Sequence, residues 1–488
     1  MQSRQKISEQ QFHKIWENQN FIQELKTQQG EDINVLFPGE YNENESGPDF
    51  KHARIKLGNF TFVGDVEIDL DYSDWKRHGH NINRNYNKTI LHICFTNAQK
   101  QSYVYTSDGR KVPSLFLENI VPAEKLYVNE TKDKIKSSNN FELKCSSEID
   151  SVDKSLIQNT ILKQGIIRFE NKCLRIFNRL KELKFLSELK TNEPVIKYEL
   201  TKEFNNKTFL QNDFRDKEIW KQLLYELIFE ALGYSKNKKI MLKLAQNVNL
   251  NFLSKYPHND EFEKIMESVL FKTAGLLSDS IESDDSFVKE LNEIWQTEKH
   301  NYDGKYFDET QWYFFGQRPQ NFPTIRIAGG IKIIEAILHK NLIGQLIKKF
   351  SEIKKDQILI NSVRSMFIIK ANNYWLDHYI FGKKTNAKLN YLIGISRADE
   401  IFINVILPFM SVYFNLFGKN ELSKKVIKIY NDFDQKSDNK IIRDVAKNLQ
   451  IEGLEKKTIF SQGMIEVFRN YCSKNRCLEC DIGKKIFN

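Results

Sequence analysis

A chain of 488 residues with 40% hydrophobic content outgrows a single core and has enough apolar material for two or three domains. Six cysteines at this length exclude a disulfide framework, no apolar run reaches the length of a membrane span, and the polar start Met1-Gln2-Ser3-Arg4-Gln5-Lys6 lacks a secretory core, so a cytoplasmic protein is expected. The formal charge of +9 permits an anionic partner such as nucleic acid, although a Lys- and Asn-rich composition yields the same figure by bias.

In chain order, residues 8 to 26 read as a helix capped by Ser8, with Phe12, Ile15, Trp16 and Ile22 as its apolar stripe. Strands are expected at Ile33 to Phe37, Ala53 to Leu57, Phe60 to Ile68 and Thr89 to Phe95, then a hairpin from Tyr103 to Leu117 turning at Asp108-Gly109. One helix accompanied by these strands makes an α+β domain with an antiparallel or mixed sheet, set at residues 1–145. Apolar residues then step by three and four, as in Ile166, Phe169, Cys173, Ile176, Leu180 and Leu183, which makes residues 146–470 mainly α-helical. The helical pattern breaks at Arg318-Pro319-Gln320-Asn321-Phe322-Pro323, polar stretches near 130–145 and 279–286 suit boundaries or lids, and residues 471–488 form a cysteine-containing tail.

The chemistry concentrates in the first domain. In Phe60-Thr61-Phe62-Val63-Gly64-Asp65-Val66-Glu67-Ile68-Asp69-Leu70 the period of two puts Asp65, Glu67 and Asp69 on one face, with Phe60, Phe62, Val66, Ile68 and Leu70 on the other. Carboxylates held this close repel one another unless a cation sits among them. With Asp49, which follows Gly47-Pro48 on the neighbouring strand, Asp65 and Glu67 form a candidate Mg²⁺ or Mn²⁺ site, and Gly64 thins the strand where a ligand could approach. The alternative is that the three acids are the solvated face of an edge strand.

Next come Lys76, Arg77, His78 and His80, in Ser73-Asp74-Trp75-Lys76-Arg77-His78-Gly79-His80. The histidines suit a general base, a phosphate contact or metal ligation, and the two cations suit phosphate, whereas His92 on its apolar strand reads as a satisfied core residue. At the other end, Cys472, Cys477 and Cys480 make a C-x4-C-x2-C array that needs a fourth ligand to close a Zn²⁺ site or a [4Fe-4S] cluster. Cys145, in a polar segment, is the candidate. Between Gly316 and Arg326, two arginines, two prolines and an aromatic either present guanidinium groups to phosphate or form a fixed inter-helix turn.

These stretches, from Glu9 to Trp16 through Pro38-Gly39, Gly47 to Phe50, Gly64 to Ile68, Ser73 to His80 and Ile90-Leu91-His92, resemble the bacterial family 2851 of domains of unknown function. The resemblance continues through Arg318-Pro319, Asn321-Phe322-Pro323 and the cysteine tail. A looser similarity is to metal-dependent PD-(D/E)xK nucleases, which implies that Asp49 and Asp65 bind the metal. Those enzymes mostly carry Lys where this chain has Glu67, and some tie their ends together through an iron-sulfur cluster. Glu9, on the first helix, then adds an outer carboxylate. The resulting expectation is a metal-dependent nuclease acting on DNA or RNA, with catalytic residues Asp49, Asp65, Glu67, Lys76, Arg77, His78 and His80. Two alternatives stay open: a non-catalytic nucleic-acid-binding or assembly protein with a structural metal, and a metal hydrolase of another phosphate ester with His78 and His80 as ligands. Oligomeric state is left open.

Overall fold

A computed structural model of the chain describes residues 9–19, 21, 24–27, 29–42, 47–96, 101–117, 120, 142–191, 193–277, 285–314, 317–385, 388–434 and 439–487. The chain divides into two compact units, residues 1–138 and 139–488.

The first unit is built on a mixed eight-stranded sheet. Helix α1 (Glu9–Glu17) precedes strands β1 (Leu25–Lys26), β2 (Asp32–Phe37), β3 (Glu40–Tyr41), β4 (Phe50–Leu57) and β5 (Phe60–Asp71). A one-turn helix α2 (Asp74–Arg77) then leads to β6 (Thr89–Thr96), β7 (Tyr103–Tyr105) and β8 (Lys111–Phe116). The order across the sheet is β1-β2-β4-β5-β6-β8-β7, with β3 also on β4. Pairing is antiparallel from β1 to β5, parallel for β5 with β6 and for β6 with β8, and antiparallel again in the β7–β8 hairpin. That hairpin turns where expected, with Gly109 at φ 81° supplying the left-handed residue the turn requires.

Alternation along the central strands sends side chains to two covered faces. On one, Phe12, Ile15 and Trp16 of α1 pack with Phe50, Ile55, Val66, Ile68, Leu91 and Ile93. Each such side chain taken out of water contributes roughly 1.5–3 kcal/mol. On the other, Tyr72, Trp75, Tyr86, Cys94, Val104 and Val112 form a smaller core. Because β5 lies inside the sheet, Asp65, Glu67 and Asp69 are buried and are not the solvated face of an edge strand.

Three local expectations are corrected. The first helix ends at Glu17, where Gln19 takes a left-handed φ of 51° and its amide closes on Trp16 O at 3.1 Å; Ser8 and Ile22 lie outside the described residues. Phe60 and Phe62 are exposed because β6 begins to pair only at Asp65, so the first residues of β5 have β4 as their one strand neighbour. Gly64 admits no ligand: a Cβ there would stand 2.4 Å from Ile90 Cγ2 and 2.5 Å from Lys88 O, so the glycine serves the close approach of β5 to the start of β6.

The second unit is mainly helical. A 35-residue helix, Lys154–Glu188, starts at Asp153, whose carboxylate accepts from Ser155 N at 2.7 Å. It runs against helix Thr458–Asn470 at a glycine crossing, where a Cβ on Gly165 would meet Ile459 O at 2.2 Å and one on Gly463 would meet Ile161 O at 2.0 Å. The main core joins helices Lys217–Leu232, Pro323–Leu338 and Leu407–Leu416. Two small ladders interrupt the helices, Ile369–Lys370 with Tyr391–Ile393 and His378–Ile380 with Lys383–Lys384; neither follows from the helical spacing. One helix, Ile395–Leu416, is long and apolar enough to cross a membrane by length and composition, with mean hydropathy 1.2 over its apolar window, contrary to the expectation of no such run. Since 72% of that window is buried inside the fold, its apolarity is that of a core helix.

Candidate metal centre

The candidate site starts with a helix stop. After Asp74-Trp75-Lys76-Arg77 the chain reaches Gly79 at φ 77°, and the amides of Gly79 and His80 close on Lys76 O at 3.1 Å and Trp75 O at 2.9 Å. This pair of bonds is the Schellman arrangement, which needs a left-handed residue and therefore favours glycine. The usual apolar contact across such a stop is made by His80 and Trp75, whose rings meet edge-on at 5.3 Å. Tyr86 stacks on His80 at 4.2 Å and meets Trp75 edge-on at 5.8 Å, and Trp75 is fixed by its indole N–H donating to Tyr105 O at 2.9 Å. The His-Gly-His segment is thus rigidly presented to the acidic face of β5.

Asp69 is where the donors converge. Its Oδ1 lies 3.3 Å from His78 Nδ1, and its Oδ2 lies 3.6 Å from His80 Nδ1 and 3.2 Å from His92 Nε2. The far nitrogen of His92 is 3.1 Å from Ser114 Oγ, so neighbouring strands β6 and β8 orient that ring from behind. Glu67 joins from the same face of β5, with Oε1 3.3 Å from His80 Nδ1. Asp69 is 1% exposed and the His80 side chain 2%, whereas the His78 side chain is 27% exposed, so the cluster reaches solvent through His78. Burial pushes the Asp69 carboxyl up, but the histidine contacts outweigh it and hold the group well below the ordinary carboxylate range. His78 is raised in turn, chiefly by its hydrogen bond to Asp69.

Asp69, His78 and His80 each place a ligand atom within 4.8 Å of the other two, and among the described residues this is the one group of three or more His, Cys, Asp or Glu donors that does so. A tetrahedral centre with ligand bonds of 2.0–2.2 Å sets its ligand atoms about 3.3–3.6 Å apart. The 3.3 Å between Asp69 Oδ1 and His78 Nδ1 falls in that span, and His80 Nδ1 lies 3.6 Å from the second oxygen of the same carboxylate, Oδ2. One carboxylate and two imidazoles suit a divalent transition metal better than Mg²⁺.

The acids singled out from the sequence are placed differently. Asp49 accepts from Ile68 N at 2.9 Å, stands 3.3 Å from His13 Nε2, and uses its own amide to reach Glu67 Oε2 at 3.0 Å. Asp65 accepts from His52 N at 3.2 Å, bracing an irregular register in β4 where His52 has φ 59°. Asp49, Asp65 and Glu67 do not gather at ligand spacing; each of the three carboxylates accepts instead from a backbone amide, of Ile68, His52 and Asp49 respectively. Glu67 alone borders the histidine cluster. Arg77 pairs with buried Asp74 at 2.5 Å, and Lys76 is exposed beside it. The Glu9 side chain lies outside the described residues.

The four cysteines occupy one region of the second unit. Cys480 is buried in a small core with Leu143, Ile149 and Ile482, and Cys145 and Cys472 pack against it. Cys145 falls in the same unit as the tail, so it provides no link from the tail to the first unit. Their sulfurs do not meet at metal-ligand spacing, which corrects the expected zinc or iron-sulfur centre. All are free thiols, and burial pushes Cys145 up to about 11 and Cys472 up to about 12, favouring the neutral form.

Comparison with known proteins adds one decisive fact: the family model described as protein of unknown function (DUF2851) matches residues 9–215 and 200–440. The chain belongs to this family. No curated protein and no solved structure matches it. In this DUF2851 member, then, the centre joins His78 and His80, which the sequence offered as possible ligands, to Asp69, which the proposed carboxylate set left out. Of Asp65, Glu67 and Asp69, which share one face of β5, Asp69 is the nearest in sequence to His78 and His80, which was the available signal.

Proposed function

We propose that the N-terminal unit is a metal-dependent hydrolase of phosphodiesters, with nucleic acid as substrate, and that Asp69, His78 and His80 hold the ion. The observation that carries this reading is the convergence of those three side chains at ligand spacing. A Zn²⁺ or Mn²⁺ ion at such a donor set would polarise a phosphoryl oxygen and lower the pKa of bound water. His92 and Glu67 orient the ligands through Asp69 and His80, the role outer partners play around metal sites. Lys76, exposed on the turn that carries the histidines, meets an approaching phosphate backbone, in keeping with the net charge of +9. The test is metal analysis of the purified chain, followed by cleavage assays on single- and double-stranded DNA and on RNA. Asp69→Asn and His80→Asn should lose both metal and cleavage while circular dichroism stays unchanged. Metal retained by both variants would reject the site.

A second reading is favoured by the burial of Asp69 and His80: the ion is structural, and the domain binds or assembles without cleaving. Stoichiometric metal with no cleavage of any substrate would select it.

A further inference from the structure

Away from this centre, the helical unit buries two arginines that face one tyrosine. Arg326, in helix Pro323–Leu338, is 5% exposed, and Arg397, in helix Ile395–Ile401, is 8% exposed. Tyr234, half-buried just past helix Lys217–Leu232 and held at φ 54°, lies with its ring centroid 3.1 Å from the Arg397 guanidinium carbon and 5.3 Å from that of Arg326. Three segments remote in sequence thus bring two guanidinium groups together over one aromatic ring.

The hydrogen-bond acceptors of these charges are neutral. Arg326 donates to Leu392 O at 2.6 Å, to Asn321 Oδ1 at 2.6 Å and to Tyr234 Oη at 3.2 Å, while Arg397 donates to Ala231 O at 3.1 Å. The Nε atoms of both arginines are buried without a hydrogen-bond partner. Among the described residues no carboxylate lies within ion-pair distance of either group; Glu400, on the helix of Arg397, acts on it from beyond that distance. Taking a charge out of water costs several kcal/mol unless an opposite charge compensates it, and two like charges side by side add repulsion. Burial lowers both guanidinium groups and Tyr234 opposes the fall; at Arg397 the nearby Arg326 charge adds to it and the Glu400 carboxylate offsets it in part. Stacking on Tyr234 and the carbonyl end of helix Lys217–Leu232 offset part of this cost, and neither supplies a full negative charge.

We infer that Arg326, Arg397 and Tyr234 form an anion-binding site that takes a phosphate group. Guanidinium forks match the tetrahedral oxyanion, with donors available at the two Nε atoms and a hydroxyl at Tyr234. The Arg318-Pro319-Gln320-Asn321-Phe322-Pro323 turn then has a physical task, because Asn321 fixes the Arg326 fork from outside. The phosphate comes either from a small phosphorylated molecule or from a nucleic-acid strand.

The test is equilibrium binding to the full chain of inorganic phosphate, a mononucleotide and a short oligonucleotide, with chloride as the ionic-strength control. Wild type should bind at least one of the three. Arg397→Gln should weaken that binding tenfold or more and Tyr234→Phe several-fold, the latter keeping the ring if the former fails to fold. Tighter binding of the mononucleotide assigns a small-molecule source, and tighter binding of the oligonucleotide a strand; either supports the site. Asp69→Asn separates this inference from the metal centre, since binding lost there and retained in Arg397→Gln and Tyr234→Phe would overturn it. So would a wild-type chain that takes up none of the three at millimolar concentration.

Discussion

His78 Nδ1 stands 3.3 Å from Asp69 Oδ1, joining the mouth of the proposed metal centre to its buried base. Asp69 carries the cluster because three imidazoles turn towards one carboxylate that the sheet has already desolvated. Asp69→Asn removes that charge and leaves His78, His80 and His92 without it. Removing one partner of a buried ionic group costs roughly 3–5 kcal/mol. Urea denaturation in the presence of chelator should show a loss of that order. A change below about 0.5 kcal/mol, the size of an ordinary surface substitution, would contradict the central place given to Asp69.

The turn makes a separable prediction. Gly79 has open space around its absent Cβ, the nearest atom being Ile82 Cγ1 at 3.9 Å, so alanine there suffers from its φ of 77° and not from a clash. Gly79→Ala should cost about 1–2 kcal/mol. Since the turn aims both histidines, metal affinity should also fall, by about tenfold or more, as happens when groups orienting a ligand are changed. Calorimetric titration with Zn²⁺ and Mn²⁺ checks this. Unchanged affinity alongside the stability loss would show that the turn does not set the ligand geometry.

Protons compete with metal at His78. Its pKa is raised by Asp69, so the charged imidazole persists to higher pH than in an ordinary histidine, and an ion must displace that proton to bind. Apparent metal affinity should therefore climb with pH through and above the usual histidine range. In metal-free protein the sign for folding is opposite: the His78–Asp69 contact contributes fully below the unfolded histidine value of 6.5 and fades as pH rises through the higher folded value. At the acid end, Asp69, depressed in the fold, contributes above its unfolded value of 3.8 and loses that contribution as pH falls through its folded value. Metal titrations and chelated denaturation curves across pH should slope in opposite directions around His78. Parallel slopes would remove His78 from the ligand set.

Much of this architecture was legible from local pattern, and the limits have physical causes. The period of two along β5 put Asp65, Glu67 and Asp69 on one face, and that parity holds. Side-chain parity says nothing about which carboxylate will hold a backbone amide. Asp49 and Asp65 were drawn into the ligand set by spacing, whereas an irregular register near His52 and the amide of Ile68, just past the last β4–β5 pair at Val66, engage them. His92 read as a core residue and is buried; its bond to Asp69 depends on the parallel pairing of β5 with β6, which no local window contains. The meeting of Tyr234, Arg326 and Arg397 is a tertiary fact of the same kind, with only the Pro-rich turn visible beforehand. For the cysteines, a shared region was foreseeable from spacing, but sulfur separations were not.

The last prediction lies in the helical core, where Glu267 is buried and accepts from Trp375 Nε1 at 2.6 Å. Burial pushes its carboxyl up to about 8 from an ordinary 4.5, with neighbouring Glu263 adding to the rise and the Trp375 bond opposing it. Such an acid stays protonated in the fold while the unfolded chain releases its proton. Stability is therefore unaffected by this group below pH 4.5, falls as pH rises from there, and levels off only above about 8. The span corresponds to a loss on the order of 3–5 kcal/mol. Glu267→Gln keeps an oxygen for the indole and removes the titration. Other groups titrate alike in both proteins, so subtracting their denaturation free energies between roughly pH 5 and pH 8 isolates this one residue. The variant should gain on the wild type steadily across that range, and a flat difference would show that Glu267 is ionised in the fold.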